Sequence, residues 1–334
     1  MAAGGQADFA PPRWLRSAHV QSVLGTSALR RRRGAALLDA TGALTTSHIL
    51  DGGDGVRLQG LHSAIPGAPS RGLVLLLHGW EGSAESSYMS QTGAHLLKLG
   101  FEVFRLNFRD HGDSHHLNPH LFHSNLIDEV VHAALDLARR FPARPMLAGG
   151  YSLGGNFALR LALRAPDAGL QLAGVAAVCP VLDPALTLVQ MEQGVPLYLR
   201  HFEAKWRRSL VRKRELFPDL HGYDDATLKL GMRQLTEQLV LQHTAFGSLD
   251  AYFEGYSIAG ERLSALQLPA WMLTSEDDPV IPVDGFRALQ LPALGKLDIV
   301  PWGGHCGFIE NARLDGYAER WMAARLERAA TGAG

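Results

Sequence analysis

The sequence predicts an open, mostly parallel α/β sheet with helices on both faces and a helical insertion capping one edge. Three observations carry that prediction. Leu73 to Leu77 is an unbroken aliphatic run, the pattern of a central parallel strand buried on both faces. Apolar runs and amphipathic segments then alternate as far as Pro180, the signature of strand–helix–strand units. Finally, a serine stands at the apex of Gly150-Tyr-Ser-Leu-Gly154, between a short aperiodic apolar run, Met146 to Ala148, and a helix-forming segment, Phe157 to Leu163. That is a strand, a sharp turn and a helix.

The elements follow in order. Met1 to Phe9 has neither a basic stretch nor an apolar core, so no secretory signal is expected. Residues 1–42 read as an arm packed on the domain, because the apolar positions from Pro11 to Gly34 are irregular. Arg30 to Arg33 reads as a solvated face, with contact to phosphates or anionic lipid as the alternative. Ala43 to Ala64 alternates around Asp51-Gly-Gly-Asp-Gly55, a hairpin signal. Beyond Leu77 come a helix from about Ser86 to Leu99, a strand from Phe101 to Leu106 and a polar, histidine-bearing loop to Ser124. An amphipathic helix from Leu126 to Phe141 leads into the serine strand, and Leu172 to Val178 is a further strand. Residues 183–266 show no convincing strand and read as the helical cap. Alternation resumes with Trp271 to Ser275 and Lys296 to Val300, and a last helix is expected from about Phe308 to Arg328. The core is therefore assigned to residues 43–182 and 267–330.

Composition excludes several classes. With 46% hydrophobic and 19% charged residues the chain is neither disordered nor fibrous. A net charge of −1 supplies no field to recruit nucleic acid. The two cysteines, Cys179 and Cys306, have no metal-type spacing and make no disulfide framework, which suits a reducing compartment. No apolar stretch approaches the ~20 residues of a membrane span, so a soluble, cytoplasmic protein is expected. Peripheral membrane contact is kept open by the aromatic and basic segment holding Tyr198, Phe202, Trp206, Arg207, Arg208 and Arg212; packing of Phe202 and Trp206 onto the sheet edge is the preferred reading.

Serine is a weak nucleophile until a base takes its proton and a third group orients that base. On an elbow of this kind the acid follows the serine and the histidine comes last. The chain supplies both after Ser152. Asp278 lies in Thr274-Ser-Glu-Asp-Asp-Pro-Val-Ile-Pro282 and His305 in Pro301-Trp-Gly-Gly-His-Cys-Gly-Phe308, each just beyond a predicted strand. Carboxyl ends of strands are where an open α/β sheet keeps its sites. Asp278 is the favoured acid because Pro279 fixes the turn directly after it; Asp277 and Asp183 are the alternatives. A developing oxyanion needs two preorganised donors. These are expected from the backbone amides of Leu153 and Trp80, with Gly79 allowing the turn and His78 bracing the loop.

These residues resemble the α/β-hydrolases, and more narrowly the YheT-like branch, to which the human abhydrolase-domain phospholipid and acylglycerol hydrolases belong. The matching pieces are His19-Val-Gln-Ser-Val-Leu24, His78-Gly-Trp-Glu-Gly82, Asn107-Phe-Arg109, Gly150-Tyr-Ser-Leu-Gly-Gly-Asn156, Asp278-Pro-Val280 and Gly303-Gly-His305. The resemblance implies Ser152, Asp278 and His305 as a charge-relay triad. It further implies cofactor-free hydrolysis of carboxylic esters, from short- or medium-chain acyl esters to acylglycerol- or phospholipid-like lipids. The sequence departs from the branch in its loop Asp110-His-Gly-Asp-Ser-His-His116 and in lacking the membrane helix of the animal members; both bear on the substrate.

Two rivals share the fold: acyl transfer to an alcohol, and a binding module that has lost catalysis. Asp110, His111, Asp113, His115 and His116 are typical metal ligands, but adjacent residues on one loop rarely converge on one ion. A polar wall near the site mouth is expected instead, and no metal or cofactor. Cys306 is read as a packing residue, since no separate base is in view for it.

Overall fold

The computed structural model describes residues 9–332; the expectation of a chain without a leader falls on residues 1–8 and lies outside them. Where the sequence suggests an irregular arm, the chain forms two helices, α1 (Ala18–Gly25) and α2 (Ala28–Asp39). Ser27 caps α2 by accepting the Arg30 amide, which satisfies one of the unpaired donors of a helix start. Apolar periodicity does not reveal these helices because polar contacts fasten them. Arg30 is fully buried in an ion pair with Glu319 at 2.6 Å, and Arg33 pairs with Asp315. A solvated arginine face therefore describes only Arg31 and Arg32.

The hairpin is β1 (Leu44–Asp51) and β2 (Arg57–Ala64), in register from Leu44 opposite Ala64 to Asp51 opposite Arg57. Then come β3 (Leu73–Leu77), α3 (Ser87–Lys98), β4 (Glu102–Leu106), α4 (Ile127–Arg140), β5 (Met146–Tyr151), α5 (Leu153–Ala168) and β6 (Leu172–Val178). Between β6 and the next strand run α6 (Pro184–Gln193), α7 (Pro196–Leu216), α8 (Asp225–Leu228), α9 (Met232–His243) and α10 (Leu249–Glu254). The chain closes with β7 (Ala270–Ser275), α11 (Val283–Arg287), β8 (Gly295–Val300) and α12 (Tyr317–Ala330). The strands form one sheet in the order β1-β2-β4-β3-β5-β6-β7-β8. β2 is antiparallel to both neighbours, and every pair from β4–β3 onward is parallel.

Alternation along β3 builds both layers. Leu73, Leu75 and Leu77 pack with Val130 and Leu137 of α4 and Phe157 and Leu161 of α5. Val74 and Leu76 pack on the other face with Met89, Leu96 and Leu97 of α3 and Met322 and Leu326 of α12. The period of two sends successive side chains to opposite faces, and each burial is worth about 1.5–3 kcal/mol relative to exposure.

Two helix bounds differ from expectation. α5 starts at Leu153, directly after the serine, because Gly154 and Gly155 are helical as well as turn-forming. The last helix starts only at Tyr317. Phe308 and Leu314 have φ of 44° and 60°, which no helix accommodates, and Ile309 and Leu314 are instead buried against Leu15.

Candidate active site

Ser152 sits between β5 and α5 with φ 52° and ψ −120°, a conformation costing a non-glycine residue about 1–3 kcal/mol. Its surroundings impose that conformation: the Ser152 amide donates to Val178 O at 2.9 Å, and its carbonyl accepts from the Asn156 amide at 3.1 Å. The flanking glycines are required by close approach. A Cβ on Gly150 would lie 2.1 Å from Gly154 O, and one on Gly154 would lie 2.2 Å from Leu77 O. The positive end of α5 points at the same spot.

His305 reaches Ser152 from the loop after β8, with Nε2 2.9 Å from the serine Oγ. Its Nδ1 lies 3.0 Å from Asp278 Oδ2. Asp278 Oδ1 accepts the amides of Val280 at 2.8 Å and Ile281 at 3.0 Å, so the turn through Pro279 fixes the carboxylate. That carboxylate selects the tautomer with hydrogen on Nδ1, leaving Nε2 free to accept from the serine. Burial disfavours a charged imidazole, but the Asp278 charge and hydrogen bond outweigh it and hold the His305 pKa above its ordinary value. The alternative acids are engaged elsewhere. Asp277 accepts the Gly304 amide at 2.9 Å, and Asp183 caps α6 through the Leu186 amide at 3.0 Å.

The histidine loop is fastened from the far end of the chain. Ser22 of α1 accepts the His305 amide at 2.9 Å. Gln21, fully buried, donates to Leu15 O at 2.8 Å and Ile309 O at 3.0 Å and accepts the Ile309 amide at 2.6 Å. The His19 ring meets Tyr198 OH of α7 at 2.7 Å. The sequence displays this stretch without disclosing its task, because contacts across such separations leave no periodic mark.

The loop after β3 passes beside the serine: a Cβ on Gly79 would stand 3.3 Å from Ser152 Cβ. Among the described residues neither the Trp80 nor the Leu153 amide has a hydrogen-bond acceptor. His78 donates from Nδ1 to Gly79 O at 2.7 Å and accepts the Phe108 amide at 3.3 Å; burial holds it well below the usual histidine pKa, hence neutral. His111 likewise donates to Arg109 O and accepts the Glu81 amide at 3.1 Å. The Trp80 ring stacks on Phe202 with centroids 5.5 Å apart and meets Trp206 edge-on. The remaining acids and histidines of the 110–116 loop disperse. Asp110 forms a buried ion pair with Lys213 of α7, His115 bonds Ser209 at 2.8 Å, Asp113 pairs with Arg212 and His116 is exposed. Donor atoms converge elsewhere: among the described residues, Cys179, His305 and Cys306 are the one such set. The wide spacing of the two cysteines concealed it.

A cavity opens on the serine, lined by Trp80, Leu188, Met191, Phe202, Trp206 and Phe253 among others, and among the described residues no Asp, Glu, Lys or Arg lines it. No helix among the described residues is long and apolar enough to cross a membrane.

A family model described as "Serine aminopeptidase, S33" matches residues 68–305, well over half of the chain. The chain belongs to this family. The hydrolase is also similar to a provisionally named esterase of Synechocystis sp., slr0264, at 27% identity over 91% of this chain and 88% of that one. Similarity to the provisionally named Escherichia coli esterase YheT is 26% over 76% of this chain and 74% of that one, and the protein is a YheT-like member of the α/β-hydrolase superfamily. Among solved structures an esterase of Pyrobaculum calidifontis shares the fold, with TM-score 0.60 and 16% identity over 97% of this chain and 99% of that one.

Proposed function

We propose that this hydrolase cleaves carboxylic esters of apolar acyl groups through an acyl-enzyme, with Ser152 as nucleophile, His305 as base and Asp278 as orienting acid. The observation that carries the reading is the unbroken path from Ser152 Oγ to His305 Nε2, and from His305 Nδ1 to Asp278, at 2.9 and 3.0 Å. As Oγ attacks the ester carbonyl its proton passes to Nε2, and the Asp278 charge stabilises the imidazolium. The Trp80 and Leu153 amides receive the oxyanion. His305 then protonates the departing alcohol, and water releases the acid by the same steps in reverse order. Helices α6–α10 act as the cap, and Phe202 and Trp206 hold the oxyanion loop through the Trp80 ring while lining the acyl pocket.

The family's aminopeptidase description suggests a different substrate, one with a free ammonium group. Binding such a group needs a carboxylate in the pocket, and among the described residues the lining has none. Apolar esters are therefore expected to be turned over and amino-acid anilides not. Wild-type protein should be labelled by a fluorophosphonate probe, and Ser152→Ala should lose labelling and about 10,000-fold or more in ester turnover. Near-normal turnover by Ser152→Ala would refute the assignment.

A further inference from the structure

Cys179 and Cys306 take no part in the steps above, yet both flank the base. Cys179 follows β6 with φ 44°, and Cys306 follows His305 with φ 57°. Each sulfur is turned toward the other's segment: Cys179 Sγ lies 4.0 Å from Gly304 O, and Cys306 Sγ lies 3.8 Å from Val178 O. Cys306 Sγ is 3.9 Å from His305 Nε2, and the two sulfurs and a His305 ring nitrogen all lie within 4.8 Å of one another. Tetrahedral zinc holds sulfur at about 2.3 Å and nitrogen at about 2.0 Å, which sets sulfur–sulfur and sulfur–nitrogen separations of about 3.8 and 3.5 Å. The set falls within a small movement of those values.

We propose that Cys179, Cys306 and His305 Nε2 form an inhibitory site for a thiophilic divalent cation of the zinc class. The donor set suits such ions and not magnesium or calcium, which prefer oxygen. On binding, the two S–H bonds and any N–H bond at Nε2 break, two metal–sulfur bonds and one metal–nitrogen bond form, and the released protons go to solvent, so the paired thiolates neutralise the ion. The Asp278 hydrogen bond at Nδ1 orients the ring as the outer carboxylates of zinc-bound histidines do. Ser152 Oγ, 2.9 Å from Nε2, is the oxygen on hand for the fourth position. The ion occupies the lone pair that would accept the serine proton, and hydrolysis stops. This inference rests on the serine-hydrolase reading only for its activity readout.

Metal-free protein titrated calorimetrically with zinc is expected to bind one ion, and Ser152→Ala should still bind it through the three remaining ligands, with water in the fourth position. Cys179→Ala and Cys306→Ala should each weaken binding by at least about 10-fold, the loss that follows even removal of an outer partner. Cadmium added to the wild-type protein should produce a thiolate-to-metal absorption band, a readout that needs no variant to fold. Ester turnover should fall with zinc, return with a chelator, ignore magnesium and calcium, and resist zinc in both cysteine variants. Unchanged zinc affinity in both variants, or no cadmium–thiolate band in the wild type, overturns the site. Absent turnover in metal-free protein would count against the hydrolase reading alone, since calorimetry and absorption still judge the metal site.

Discussion

Ser152 and His305 meet across 2.9 Å, but the turn carrying the serine is built from local backbone, whereas the loop carrying the histidine is held by distant side chains. Around Ser152 the restraints are glycines too close to carbonyls for a Cβ and amides bonded to adjacent strands. Around His305 they are Ser22 and Gln21 of α1, Asp277 and Asp278 beyond β7, and Ser275, whose hydroxyl donates to Gly304 O at 3.0 Å. A backbone device tolerates almost no substitution at its glycines. A side-chain device can be loosened one bond at a time, with the fold intact.

Asp278→Asn tests the side-chain half most severely. Loss of the charge that orients His305 should lower turnover about 10,000-fold. In the wild type, turnover should rise with pH as His305 loses its proton, with a midpoint above the ordinary histidine value because Asp278 favours the charged ring. The residual activity of the variant should titrate at lower pH, since burial then opposes the charged ring without the Asp278 charge to offset it; an unmoved midpoint would detach Asp278 from the histidine. Gly154→Ala tests the backbone half. Its Cβ would meet Leu77 O at 2.2 Å, so β3 and α5 must part, at about 3 kcal/mol or more. A urea midpoint equal to wild type would show that the approach is looser than described. Gln21→Ala is the mildest change, leaving backbone groups of residues 15 and 309 unpaired for about 1–3 kcal/mol. The histidine loop should drift, slowing turnover and fluorophosphonate labelling roughly 10- to 100-fold with KM nearly unchanged. Equal labelling rates would mean that the loop sets its own position.

The same contrast explains what the sequence disclosed. β3 through β6 were readable because burial on two faces leaves long aliphatic runs, and the serine turn was readable because steric demand leaves glycines at fixed offsets. Asp278 and His305 were reachable through chain order and strand ends, and the fold brings His305 to the serine and Asp278 to His305. Gln21 and Ser22 went unassigned, because one polar side chain bonding a remote segment has no period. α1 and α2 were missed for the same reason, being fastened by Arg30–Glu319 and Gln21 rather than by a continuous apolar stripe. The extra length given to the last helix came from Phe308, Ile309 and Leu314, which are apolar because they are buried in a loop.

The span matched by the family model begins at residue 68, downstream of α1 and α2. A chain shortened to begin just past α1 would keep serine, acid and histidine yet forfeit the splint on the third of them. Its sluggishness toward esters would then be a defect of excision, and a synthetic peptide covering α1, supplied in trans, is the natural remedy to try.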